Sequence, residues 1–240
     1  MNCVRNQILV IALLTLAELV LPVRPAPAQH LSFGVGAIAG AAIARWRGAD
    51  ANGAGSRTSF VGGGFLTVGI GKYFALEPQL LYVPKGTELT GSGVTVTYKQ
   101  GYVEIPLLIT GRFPLAGLRS FTPTIFAGPA IAFQTSCSFS STGTSGPGYQ
   151  VFPVSDENCD SLLAAAPGQP ASIRHTDALM VFGGGFEVGL VALLARYDLG
   201  LSRFFVERPP LRSPLDIRTK AWLVSAGFRF PLWNGRPRRG

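Results

Sequence analysis

The stretch that decides the fold is Ala221-Trp-Leu-Val-Ser-Ala-Gly-Phe-Arg-Phe-Pro-Leu232, near the end of a 240-residue chain. Its even positions are Trp222, Val224, Ala226, Phe228, Phe230 and Leu232; the odd ones include Ser225, Gly227 and Arg229. Successive side chains of a strand point to opposite faces, so one face here is wholly apolar and the other carries small residues and an arginine. In a soluble protein the apolar face would turn to a core. Composition points it toward lipid instead.

Only 14% of the residues are charged while 47% are hydrophobic, with 30 glycines. A soluble domain has about a quarter of its residues charged. Beyond the N-terminus no apolar run is long enough for a membrane-spanning helix, which needs about 20 residues. A closed sheet is the other structure that satisfies its own backbone hydrogen bonds in lipid. The net charge of +8 is scattered along the chain. That fits attraction to anionic headgroups and gives no basic stripe for nucleic acid.

Residues 1–28 carry the marks of a cleaved secretory signal: Arg5, an apolar core over Ile8–Ala17, and the small-x-small site Ala26-Pro27-Ala28. Cys3 would leave with it. Residues 29–233 then form the barrel and 234–240 a basic tail with Arg236, Arg238 and Arg239.

Alternation predicts eight antiparallel strands: Leu31–Trp46, Phe60–Tyr73, Leu76–Val83, Val96–Arg112, Phe121–Thr135, Ile173–Val188, Val191–Phe204 and Ala221–Leu232. Arg47–Ser59, Pro84–Thr95, Ser136–Ser172 and Phe205–Ile217 are rich in turn residues and read as loops. Long polar connections thus alternate with short ones, the arrangement of outer-membrane barrels, whose short turns are periplasmic and longer loops external. Both termini are then expected in the periplasm. A soluble pocket barrel would need water-loving residues on the second faces, and these are dominated by Gly and Ala. Pro106, Pro123 and Pro129 predict local bulges, because proline withdraws a ladder donor. Trp46, Tyr73, Phe74, Tyr82, Trp222 and Trp233, near strand ends, predict interfacial girdles.

Four segments resemble the PorT-like outer-membrane β-barrel domain family, common in Bacteroidetes-type bacteria: Gly71–Tyr82 (GKYFALEPQLLY), Tyr102–Leu108 (YVEIPLL), Phe126–Phe133 (FAGPAIAF) and Ala195–Leu201 (ARYDLGL). The resemblance spans essentially residues 30–233. It implies an eight-stranded outer-membrane barrel, in a family whose members mostly have no assigned function and of which one branch serves protein secretion; no cofactor is expected. Ser225, Gly227, Phe230 and Leu232 also resemble the signal read by the barrel assembly machinery, although Trp233–Gly240 extend beyond it.

Glu77, Glu104, Asp177, Glu187, Arg196, Asp198 and Arg229 share the expected inner face. An eight-stranded barrel is just wide enough to be filled by side chains, so these charges are expected to pair into a plug rather than line a pore. Cys137 and Cys159 lie on one external loop in an oxidising compartment, where a disulfide would stabilise by about 3 kcal/mol. No histidine pair accompanies them for a metal. His175 and Asp177, with Ser172 nearby, could form a hydrolytic group at the barrel mouth. However, G-x-S-x-G is absent and His30 lies at the opposite end. Gly62–Gly64 and Gly183–Gly185 lack the Lys-Ser/Thr of a phosphate loop and read as close-packing positions. The expected protein is a monomeric, non-enzymatic outer-membrane barrel. Its partners are membrane lipid, the assembly machinery and a protein bound at the external loops. A secretion-system accessory and a rim hydrolase are the alternatives.

Overall fold

The computed structural model describes residues 31–91, 93–115, 121–143, 153–159, 171–207 and 216–233. The signal segment, His30 and the basic tail lie outside these. The strands in chain order are β1 (Leu31–Arg47), β2 (Ala54–Ile70), β3 (Phe74–Gly91), β4 (Val94–Arg112), β5 (Phe121–Gly143), β6 (Val154–Asn158), β7 (Ala171–Ile173), β8 (Thr176–Val188), β9 (Val191–Gly200), β10 (Phe205–Glu207) and β11 (Arg218–Trp233). Eight of them close a ring, β1-β2-β3-β4-β5-β8-β9-β11 and back to β1, and every neighbouring pair is antiparallel. Closure leaves no unpaired edge in the wall.

β11 shows why the ring closes. It pairs with β1 from Arg218↔Arg47 to Phe33↔Trp233 and with β9 from Lys220↔Leu199 to Phe228↔Val191. Its even side chains point outward, with Trp222, Val224, Phe228, Phe230 and Leu232 all more than half exposed. Ala221, Leu223 and Ser225 point into the lumen. The same outward apolar set recurs around the wall, at Phe60, Leu66, Leu80, Ile109, Ile125, Phe182 and Leu193. An apolar wall of this extent is stable only where it is kept from water.

Small residues let the narrow ring pack. A Cβ at Gly63 would meet the Leu80 carbonyl oxygen at 2.1 Å, and one at Gly185 the Leu193 oxygen at 2.0 Å. Gly189, at φ +62°, supplies the left-handed turn between β8 and β9.

The strand bounds differ from the sequence expectation at one end of the barrel. Pro84–Thr95 is not a loop: β3 and β4 run on as a continuous ladder to Gly91↔Val94. β2 starts at Ala54, inside the expected loop Arg47–Ser59, and β5 continues from Thr135 to Gly143. The expected loop Ser136–Ser172 also contains β6, paired on β5, and the start of β7. β7 pairs with β10 inside the expected loop Phe205–Ile217. The ring strand β8 begins at Thr176 rather than Ile173, and β9 ends at Gly200 rather than Phe204. Long and short connections therefore do not simply alternate. The connection after β3 is only residues 92–93, shorter than residues 113–120 at the other end. Much of the polar chain is spent on strands that outrun the barrel.

The prolines do not make bulges. Pro106↔Ala130 and Ile109↔Ala127 keep one register across the short lapse facing Pro129. The register shift between β4 and β5 falls at Gly101/Tyr102 instead, where Thr135 is the extra residue and donates its hydroxyl to the Gly101 carbonyl.

Candidate functional site

The ends of the barrel are unlike. The turn end holds residues 71–73, 113–120 and 189–190; the loop end holds the extended strands and the longest connections. Between them the lumen is filled by side chains aimed inward by strand alternation.

Toward the turn end, Glu77 on β3, Arg112 on β4, Glu187 on β8 and Arg229 on β11 converge. Arg229 Nη2 lies 2.8 Å from Glu77 Oε1 and 3.0 Å from Glu187 Oε1. Arg112 reaches the same two carboxylates at 2.8 and 3.4 Å. Thr67 donates to Glu77 at 3.3 Å, and the Arg229 guanidinium stands 5.4 Å from the Phe65 ring centroid. Two cations face two anions, so the group is neutral.

Mid-lumen holds a second such group. Glu104, fully buried, lies 2.7 Å from Lys85 Nζ and 2.6 Å from Arg196 Nη2. Arg196 also donates to both oxygens of Asp198, at 2.5 and 2.8 Å. The Lys85 ammonium stands 5.3 Å from the Tyr102 ring centroid. Taking an ion out of water costs several kcal/mol, and a buried charge persists only beside a hydrogen-bonded partner. Balanced quartets meet that condition. Asp177 belongs to neither group: it accepts from the Thr219 hydroxyl at 2.9 Å and the Ser202 amide at 3.0 Å.

Lys85 and Arg112 were missed in the sequence reading. Lys85 sat in a stretch read as loop, and Arg112 was taken only as a strand terminus. Their parity carried the signal, since Lys85 is in phase with Glu77 on β3 and Arg112 with Glu104 on β4.

Above the mid-lumen quartet, Trp46, Cys159, Ile173, Phe204 and Ile217 form a buried apolar roof. Trp46 packs against Tyr98 and Phe204 with ring centroids 4.8 and 5.2 Å apart and the planes tilted by 38° and 39°. It is 5% exposed and points inward, so it is not part of a girdle; Tyr73, Phe74, Tyr82, Trp222 and Trp233 are exposed on the outside. Burial pushes the Tyr98 hydroxyl above its ordinary pKa.

At the loop end, the prolonged β3, β4 and β5 stand beyond the ring with β6 added on β5. The disulfide Cys137–Cys159, with Cα atoms 5.4 Å apart, ties β5 to the residue after β6. Lys99 on β4 reaches across to Asp156 on β6 at 2.6 Å. Hydrogen bonding and charge attraction from Lys99 hold the exposed Asp156 carboxyl below its ordinary pKa.

His175 and Asp177 are not brought together by a hydrogen bond. Asp177 turns into the lumen, while exposed His175 lines a small cavity of about 120 Å³ with Gln134, Thr135, Ser136, Cys137 and Asn158. Ser172 lies on β7, paired with Val206. Among the described residues no group of three or more His, Cys, Asp or Glu side chains could hold a metal ion. On β11, Ser225 and Gly227 face inward and Phe230 and Leu232 outward at the turn end.

A family model described as outer membrane protein beta-barrel domain matches residues 27–206. No curated protein matches the chain. Among solved structures, Ail, the attachment invasion locus protein of Yersinia pestis, is 13% identical. The match covers 83% of this chain and 99% of Ail, with TM-score 0.41. Neisserial surface protein A is 14% identical over 83% of this chain and 97% of its own, with TM-score 0.43. OprG from Pseudomonas aeruginosa is 12% identical over 84% of this chain and 95% of its own, with TM-score 0.39. At these identities the likenesses say nothing about activity. The family match spans most of the chain, and the chain belongs to the outer membrane protein beta-barrel domain family.

Proposed function

For a member of an outer-membrane barrel family, we propose a non-enzymatic, non-conducting membrane protein whose disulfide-tied sheet extension is its contact surface for a partner outside the cell. In this reading residues 1–28 are removed as a signal peptide. Both termini face the periplasm, and Ser225, Gly227, Phe230 and Leu232 serve the assembly machinery. The observation that carries it is the division of labour along the barrel axis. Two neutral charge quartets and an apolar roof fill the lumen, which supports a non-conducting barrel. Among the described residues, exposed polar positions gather on the β3–β4–β5–β6 extension.

The test is a photo-reactive residue in place of Glu157, on exposed β6, in intact cells. Labelling by an impermeant reagent and one recurrent cross-linked protein are expected. Labelling only after the outer membrane is opened would contradict the orientation, and the absence of any cross-link would contradict the contact surface.

The proposal that the chain is a PorT-like member of this family is supported by the four sequence segments quoted above. The alternative role, an accessory of a secretion system as in one branch of that family, would show as loss of secreted proteins on gene deletion without general envelope damage.

A further inference from the structure

Where β1 meets β11 the outer wall sets two pairs of cations directly opposite each other, Arg45 with Lys220 and Arg47 with Arg218. The second pair is relieved by Asp216, 3.0 Å from Arg218, and by the Gly200 carbonyl, 2.6 Å from Arg47. Neither Arg45 on β1 nor Lys220 on β11 forms an ion pair among the described residues. Like charges directly opposed across strands are destabilising. Here the ladder holds them together.

Their height on the wall is informative. The outward positions of β1 are apolar from Leu31 through Ile43, and Arg45 is the next. On β11 the outward positions are apolar from Leu232 back to Trp222, and Lys220 is the next. Ten to twelve residue steps at about 3.4 Å, tilted by about 40°, span roughly 26–31 Å along the barrel axis, enough to cover the apolar band of an outer-membrane barrel. Both cations therefore stand one step past the hydrocarbon, at headgroup level. Beneath them Trp222 packs against Tyr197, tilted by 47° with ring centroids 4.7 Å apart, an aromatic pair at the depth where such rings anchor to the interface.

The two cations also share a recess. Ile43, Arg45, Ser56, Tyr197, Lys220 and Trp222 line a hollow of about 360 Å³ in the outer wall. It offers a guanidinium, an ammonium and a serine hydroxyl over an apolar floor. Guanidinium gives planar paired donors and ammonium a compact point charge, the two groups suited to phosphate oxygens.

We propose that Arg45, Lys220 and Ser56 bind a phosphate group on the glycolipid of the outer leaflet, its acyl chains lying along the apolar wall below. This places the loop end outside and so rests on the proposed orientation, which the cell-labelling experiment reads independently. The bound dianion would relieve the repulsion that the strand register imposes.

The test uses the full-length protein folded in detergent. The unfolding temperature is read from its gel-mobility shift, with and without phosphorylated lipid A. Lipid A is expected to raise the temperature for the wild type, and the R45Q/K220Q double variant is expected to bind it at least about tenfold more weakly and to lose the rise. Without lipid, the variant should unfold at the same or a higher temperature than the wild type, because removing the like charges removes their repulsion. Dephosphorylated lipid A should give no rise. An equal rise in wild type and variant would overturn the proposal, as would lower lipid-free stability of the variant. A rise with inorganic phosphate as large as with lipid A would show a free-phosphate site and overturn the lipid assignment.

Discussion

The membrane-embedded barrel and the sheet extension above it are built from the same strands, yet obey different rules. Within the ring each strand has one face toward lipid and one toward the lumen, and every residue is assigned a side by its parity. Above the ring both faces of β3, β4 and β5 meet water or the roof. Here Gly, Ser and Thr replace the outward aliphatic residues. The barrel is held by closure, close packing and buried charge pairs; the extension is held by its ladder, one disulfide and a surface ion pair. The first should fail globally and the second locally.

The largest expected effect is in the lumen. Arg196→Ala removes the cation that joins Glu104 to Asp198 and leaves Asp198 buried without its guanidinium partner. A cost of about 3–5 kcal/mol is expected, read as a lower midpoint for urea unfolding of the folded protein in detergent or lipid. No change in midpoint would mean that the quartet does not stabilise the barrel.

An intermediate effect belongs to the extension. C137S/C159S should lose about 3 kcal/mol of local constraint. Faster hydrogen exchange and proteolysis in residues 136–159 are expected, with the boiling-dependent gel shift of the barrel unchanged. A lowered barrel midpoint would show that the two regions are not separable.

The smallest effect comes from pH. The Asp156 carboxyl is held below its ordinary value of 3.8 by Lys99, so its contribution is fully present above 3.8 and fades as pH falls through the lower, folded value. Acidification below about pH 3.8 should lower the hydrogen-exchange protection at β6, measured against the rate of an unstructured chain at the same pH, and Asp156→Asn should give the same loosening at neutral pH.

The same contrast explains what the sequence made legible. Trp222–Leu232 and Val191–Leu199 were readable because lipid demands an unbroken apolar face every second residue. Lys85–Gly91 and Ser136–Gly143 were not, since a strand with two polar faces has no period and resembles a loop. With that error went Lys85, the cation that completes the mid-lumen quartet. Trp46 misled in the opposite way: an aromatic near a strand end suits a girdle, and only its even number, in phase with Ala42 and Ala44, marks it as inward. The acids were legible because few ionisable residues fall within the ring at all. Their division into two quartets was not, because it depends on the stagger between strands far apart in sequence.

The central claim is that balanced charge quartets close the lumen, and conductance tests it most directly. Purified full-length protein inserted into a planar bilayer at neutral pH should give no discrete current steps under an applied potential. Regular single-channel steps from folded wild-type protein would contradict the account.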